Sequence, residues 1–199
     1  DMGLQHQRFP LLLKTCTAKL PDGTSVNVWL TGPAGSGKTT AARNVAKALD
    51  KAFYFNGAIS TPFELMGFVD ANGRLVRTPF RDAWENGGVY LFDEVDSSNP
   101  NAVTAFNAAL ANGLCAFPDR VVERHADCII IAGANTSGNG GTNDYVGRMK
   151  QDGAFLNRFV ELHWPIDEKL ETAVSGNESW ARRVQGVRAR VKERGIKGH

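Results

Sequence analysis

The sequence predicts an α/β fold built on a mainly parallel sheet, and three observations predict it. Strand-like and helix-like segments alternate along the chain. Val89 to Phe92 and Cys128 to Ala132 are unbroken apolar runs of the kind found in strands buried on both faces. A glycine-rich loop, Gly32 to Gly37, lies between a β-rich run and a run of helix formers, the context a strand–loop–helix phosphate-binding unit requires.

Residues 1–20 read as a lead-in with a short helix around Leu11 to Ala18, closed by the turn signal Pro21-Asp22-Gly23. Val26 to Leu30 alternates and is the first strand; Lys38 to Leu49 is the helix after the glycine loop, ending at Asp50. Ala52 to Phe55 is a second strand, and Thr61-Pro62 opens a short helix through Met66. Phe68 to Val76, with Ala71-Asn72-Gly73 at its centre, reads as a hairpin. Pro79 to Glu85 is helical and is stopped by Asn86-Gly87-Gly88, after which Val89 to Phe92 forms a strand. Asn101 to Leu110 is a helix with Val103, Phe106, Asn107 and Leu110 on one side, and Leu114 to Arg124 a second hairpin around Pro118-Asp119. Beyond the Cys128–Ala132 strand, Gly133 to Gly147 reads as a flexible glycine-rich loop. Phe159 to His163 is the last strand, and helices follow near Asp167 to Val174 and Glu178 to Arg194. A boundary at Ser175-Gly176 divides a core of residues 1–174 from a small helical segment, 175–199.

Composition excludes several classes. With 42% hydrophobic and 22% charged residues the chain is an ordinary globular domain rather than a disordered one. The three cysteines form no CxxC pair, which suits a reducing, cytoplasmic setting. His6, His125, His163 and His199 are scattered and no zinc-ligand spacing occurs. No apolar run reaches membrane-spanning length, and no signal-peptide pattern opens the chain. The net charge is +2, but Arg182, Arg183, Arg188, Arg190, Lys192, Arg194 and Lys197 crowd residues 180–199 against Glu193 alone. Trp180, Val184, Val187 and Val191 recur there at helical spacing. The basic residues therefore read as a solvated helix face, and contact with nucleic acid is the less favoured alternative. Trp29, Trp84, Trp164 and Trp180 read as core or interface aromatics rather than a base-stacking platform.

The chemistry concentrates in three places. Gly32-Pro33-Ala34-Gly35-Ser36-Gly37-Lys38-Thr39 fits the phosphate-loop pattern, with Thr40 next to it in the following helix. Glycines let successive N–H groups turn inward as an anion nest, and the helix N-terminus adds positive potential. Lys38 is then the residue that reaches the β- and γ-phosphates, and the Thr39 hydroxyl a ligand for Mg²⁺. Asp93-Glu94 closes the Val89–Phe92 strand, which puts both carboxylates at the sheet's C-terminal rim. Asp93 suits the metal and its waters, and Glu94 suits polarisation of an attacking water. Asn135 ends the Cys128 strand and on spacing alone reads as a turn-starting asparagine. No Asn-Lys-x-Asp motif is present, which favours ATP over GTP.

Taken in order, GPAGSGKT, VYLFDE, AGANT and FLNRF resemble the AAA+ ATPases, and within them the MoxR-like and cobaltochelatase-subunit branch. The likeness runs from about Phe9 to His199, with Gly87 to Pro100 and Tyr145 to Phe159 its specific segments. It implies a three-layer P-loop NTPase fold with a five-stranded parallel sheet in the order 5-1-4-3-2, followed by the start of a helical lid. It makes Asn135 the sensor-1 residue and Arg158 an arginine finger supplied to a neighbouring subunit, with Arg148 the alternative finger or the finger's partner. A finger in trans implies a ring, usually a hexamer, and the two hairpins become the elements that face a partner or a central pore. The lid's usual sensor-2 arginine has no match among Arg182, Arg183 and Arg188, so a truncated lid is expected.

The function expected from this resemblance is hydrolysis of Mg²⁺-ATP at subunit interfaces, coupled to remodelling of a protein or metal-insertion partner. Two alternatives are a nucleotide-gated assembly switch, which has no need of Glu94, and a DNA motor or loader, which rests on the basic tail.

Overall fold

The computed structural model describes residues 3–138, 140 and 148–193. Helix α1 (Phe9–Thr17) carries Pro10 in its first turn, where a missing N–H costs nothing. Strand β1 (Asn27–Thr31) runs through the loop 32–37 into α2 (Lys38–Ala48). After β2 (Phe53–Asn56), α3 (Pro62–Met66) starts where the Glu64 carboxylate accepts the Thr61 N–H. Strands β3 (Phe68–Val69) and β4 (Leu75–Val76) pair as an antiparallel hairpin. Helix α4 (Pro79–Asn86), capped by the Thr78 hydroxyl, leads into β5 (Gly88–Phe92). A 3₁₀ turn at Val95–Ser97 precedes α5 (Pro100–Asn112), and β6 (Leu114–Ala116) and β7 (Val121–Glu123) form the second hairpin. Strand β8 (Cys128–Ala134), α6 (Gly153–Leu156), β9 (Phe159–His163), α7 (Glu168–Ser175) and α8 (Glu178–Glu193) follow.

Five strands make one sheet in the order β2-β5-β8-β1-β9, and every neighbouring pair is parallel. Counted along the chain, these strands read 5-1-4-3-2 from the β9 edge, as the resemblance implies. The three central strands are buried along their whole length, which explains the unbroken apolar runs of β5 and β8. Successive side chains still go to opposite faces. Val28, Leu30, Val89, Leu91, Ile129 and Ile131 pack on α1 and α2 through Leu12, Cys16, Ala42 and Val45. Trp29, Tyr90, Phe92 and Ile130 face the other layer, where Leu65, Phe80, Trp84, Phe106 and Phe155 supply α3, α4, α5 and α6. Phe106 is the hub, with ring centroids 5.3 Å from Phe92 and 5.4 Å from Phe80, edge to face.

Several expectations are corrected. Gly133 and Ala134 are strand rather than loop, because β8 continues beside β1 as far as the Thr31↔Ala134 pair. Of that glycine-rich stretch, residues 139 and 141–147, Tyr145 included, lie outside the described residues. Helix α5 buries Ala102, Val103, Phe106 and Ala109, whereas Asn107 and Leu110 sit half-buried at the margin of that face. The 3₁₀ turn and α6 are too short to leave a periodic signature. Trp29, Trp84 and Trp164 are core residues, but Trp180 is 61% exposed and Val187 60%. Helix α8 instead meets α7 through Gln185, which donates to the Glu168 carbonyl and Glu171, and Arg188, which donates to Glu171. Arg194, Lys197 and His199 lie outside the described residues.

Candidate active site

The C-terminal ends of β1, β5 and β8 converge, and each delivers one predicted element. At the end of β1, Gly35 and Gly37 take left-handed φ values of 76° and 86°, conformations that fold the loop back over the start of α2. Gly37 is the N-cap of α2 and offers no side chain, so the first-turn N–H groups are left for a ligand. A Cβ on Gly32 would lie 2.0 Å from the Trp164 carbonyl oxygen, so the loop's first glycine is required by packing. Ser36 turns back to donate to the Pro33 carbonyl at 2.8 Å, and the Trp164 indole N–H donates to the Ser36 carbonyl at 3.1 Å.

Lys38 is 7% exposed. Its Nζ donates to the Gly32 carbonyl at 2.6 Å, the Pro33 carbonyl at 3.1 Å and Asn135 Oδ1 at 2.9 Å. Burial pulls its ammonium below the ordinary lysine value, and Asp93 and Asp96 pull the other way. The chain thus holds Lys38 charged by lending it neutral acceptors, the arrangement expected of a cation whose anion is a ligand. Asn135, which spacing alone would assign to a turn, lies at the end of β8 and touches Lys38 directly.

Thr39 Oγ1 donates to Asp93 Oδ2 at 2.7 Å. A hydroxyl and a carboxylate oxygen at that separation are hard donors within reach of one small divalent cation, so the pair fits Mg²⁺. Asp93 is fixed from several sides: its N–H donates to the Asn56 carbonyl, its Oδ1 accepts the Glu94 N–H, and Gly133 passes close beside it. Glu94 adopts a left-handed φ of 52°, rare for a residue with a Cβ and typical of positions where local strain of about 1–3 kcal/mol serves a site. Its side chain is half-exposed at the rim, free to meet a water.

Sequence reasoning missed Asp96. It is fully buried, and its Oδ2 accepts the Asn135 N–H, the Thr136 N–H and the Thr136 hydroxyl while Oδ1 accepts Arg148 at 3.1 Å. A carboxylate at the strand-to-turn junction two residues past Glu94 is the one signal that could have marked it. Also missed was a cavity of about 260 Å³ beside the loop, walled by His6, Phe9, Gly35, Thr40, Trp164 and Leu170. His6 stacks on Trp164 at 4.0 Å and 21°, and donates through Nε2 to the Pro165 carbonyl at 2.8 Å. That stack closes one end of an apolar slot next to the anion nest, a shape suited to a flat base.

The two arginines part company. Arg148 is in the site of its own chain. Arg158 is not: it lies at the start of β9, where its Nε donates to Asn107 Oδ1 at 2.8 Å and its carbonyl accepts from Asn27.

Comparison with known proteins shows the family and the fold. The family model described as ATPase family associated with various cellular activities (AAA) matches residues 28–151, more than half of the chain. The chain belongs to the AAA ATPase family. This AAA chain is 26% identical over 175 residues to an uncharacterised protein of Staphylococcus aureus, covering 81% of the chain and 64% of that relative. It therefore spans less than two thirds of the length of such relatives. Over 81 residues, 40% of the chain and 12% of the relative, it is 43% identical to ATP-dependent zinc metalloprotease FtsH 2 of Petrotoga mobilis. The fold is shared with the crystal structure of NtrX from Brucella abortus in complex with ATP, with a TM-score of 0.61 at 16% identity over 86% of this chain and 41% of that one. Among the described residues, no helix of the AAA chain is long and apolar enough to cross a membrane.

Proposed function

We propose that the chain binds Mg²⁺-ATP and hydrolyses it at interfaces of a ring, as a member of the MoxR-like branch. The observation that carries this reading is the Thr39–Asp93 hydrogen bond at 2.7 Å beside the Lys38–Asn135 contact at 2.9 Å. One pair suits the metal, the other the γ-phosphate, and both lie at the strand ends where such folds bind ligands. The phosphates occupy the nest of Gly32, Pro33, Ala34, Gly35, Ser36 and Gly37, and the purine lies in the cavity against His6, Thr40 and Trp164. Lys38 turns from its carbonyl partners to the β- and γ-phosphates, and Asn135, released from it, faces the γ-phosphate. Thr39 and Asp93 would hold Mg²⁺, which when bound would neutralise charge on the phosphates. Glu94 accepts a proton from the attacking water, whose oxygen bonds to the γ-phosphorus as the bond to ADP breaks.

Arg158 is the residue assigned to the neighbour's γ-phosphate, and its side chain's partner, Asn107 rather than a member of the Lys38 cluster, is compatible with a role in trans. The coupled work is remodelling of a protein or metal-insertion partner. The test is ATP turnover per subunit as a function of protein concentration. Specific activity should climb with concentration, and Arg158→Ala should lower it by roughly 10³-fold or more. A flat rate unaffected by Arg158→Ala would overturn the shared-site reading.

A further inference from the structure

Arg148 occupies a position unlike that of a finger waiting for a neighbour. Its side chain is 14% exposed, with Nη1 3.1 Å from Asp96 Oδ1 and Nη2 3.9 Å from Glu94 Oε1 in the same chain. Asp96 is fully buried, and Arg148 is the cation that hydrogen-bonds its carboxylate among the described residues. Swinging Arg148 out toward another subunit would leave a buried carboxylate without that cation, which is strongly unfavourable. Arg158 carries no such burden, since its side chain is half-buried and held by the neutral amide of Asn107.

Asp96 also grips the end of β8. Its second oxygen takes the Asn135 and Thr136 N–H groups, and its backbone carbonyl accepts the Met149 N–H at 2.8 Å. An unbroken line of contacts therefore runs from Lys38 through Asn135, Asp96 and Arg148 to Glu94. Glu94 is otherwise a half-exposed side chain, and such a base works only when it is aimed.

We propose that Arg148 is a cis-acting positioning residue: anchored on Asp96, it aims the carboxylate of its own subunit's Glu94 and ties that aim to Asn135 and Lys38. A γ-phosphate that draws Lys38 away from Asn135 then acts on the base through the same line of contacts. The inference rests on the hydrolytic reading above and deepens it by assigning Arg148 to the site of its own subunit.

The experiment compares Arg148→Ala, Arg148→Lys and wild type for kcat, for Mg²⁺-ATP dissociation constant and for melting temperature, and mixes Arg148→Ala with Glu94→Gln. Arg148→Ala should lower kcat about 10–100-fold, the usual effect of losing a residue that orients a catalytic group, with the dissociation constant within about twofold. Arg148→Lys reaches Asp96 but loses the second limb toward Glu94, so its kcat should fall between the two. If Arg148→Ala does not fold, the lysine variant carries the comparison. Mixing should restore nothing, because no subunit then holds both Arg148 and Glu94. Recovery of turnover on mixing would make Arg148 a trans-acting finger and overturn the inference. So would wild-type kcat in the folded variants, or a parallel fall of affinity, kcat and melting temperature in both. A wild-type chain with no Glu94-dependent turnover would overturn the parent reading, and this inference with it.

Discussion

Gly133 shows how narrowly the site is built. A Cβ on it would stand 2.4 Å from Asp93 Oδ1, closer than any real contact, while its own backbone needs no left-handed conformation. Gly133→Ala should therefore leave the sheet intact and push Asp93 off Thr39. The expected result is a loss of about tenfold in nucleotide affinity with Mg²⁺ present and little change with EDTA, read by titration with a fluorescent ATP. Equal affinity in both conditions for variant and wild type would mean that Asp93 does not hold the metal. At this scale the phosphate loop and Asp93-Glu94 were legible in the sequence, because glycines, lysine and paired carboxylates have few other reasons to occur in that order. Asn135 needed a family resemblance, since an asparagine after a strand has a common local explanation. Asp96 and the His6–Trp164 stack were invisible: one is a carboxylate among several, and the other joins residues from opposite ends of the chain.

Among elements, those with a strong period or punctuation were readable, and the 3₁₀ turn and α6, short and without either, were not. The Thr61-Pro62 start of α3 and the two hairpins follow from capping and turn chemistry that acts over a few residues. Helix α8 and its solvated basic face were readable, but which side meets α7 was not. Of its apolar stripe, Trp180 and Val187 are exposed and Val184 and Val191 half-buried, while α7 offers Glu171 and Thr172 and takes the polar side, Gln185 and Arg188. That contact carries a pH prediction. Hydrogen bonding from Arg188 holds the Glu171 carboxyl below the ordinary glutamate value of 4.5. A depressed carboxylate stabilises the pairing above its unfolded pKa, and the contribution is lost as pH falls through the lower folded value. Backbone NMR of residues 178–193 should show α8 docked at about pH 6 and loosened below about pH 4. In Glu171→Gln it should be looser already at the higher pH and lack that acid step; an unchanged acid step in the variant would exclude Glu171 as its cause.

For the whole molecule, the α/β class followed from alternation of apolar runs and helices, but the strand order did not. Parallel strands separated by helices carry no sequence mark of who sits beside whom, so 5-1-4-3-2 came from the resemblance and is seen in the β2-β5-β8-β1-β9 sheet. That order is what brings the ends of β1, β5 and β8 together, and with them Lys38, Asp93 and Asn135. The central claim is that this rim is a hydrolytic site whose base is Glu94. The most direct test measures phosphate release from Mg²⁺-ATP alongside ATP binding, for wild type and for Glu94→Gln. The account predicts equal binding and a fall in turnover of at least about 100-fold in the variant. Turnover at the wild-type rate in Glu94→Gln, or a wild-type chain that does not bind ATP, would contradict it.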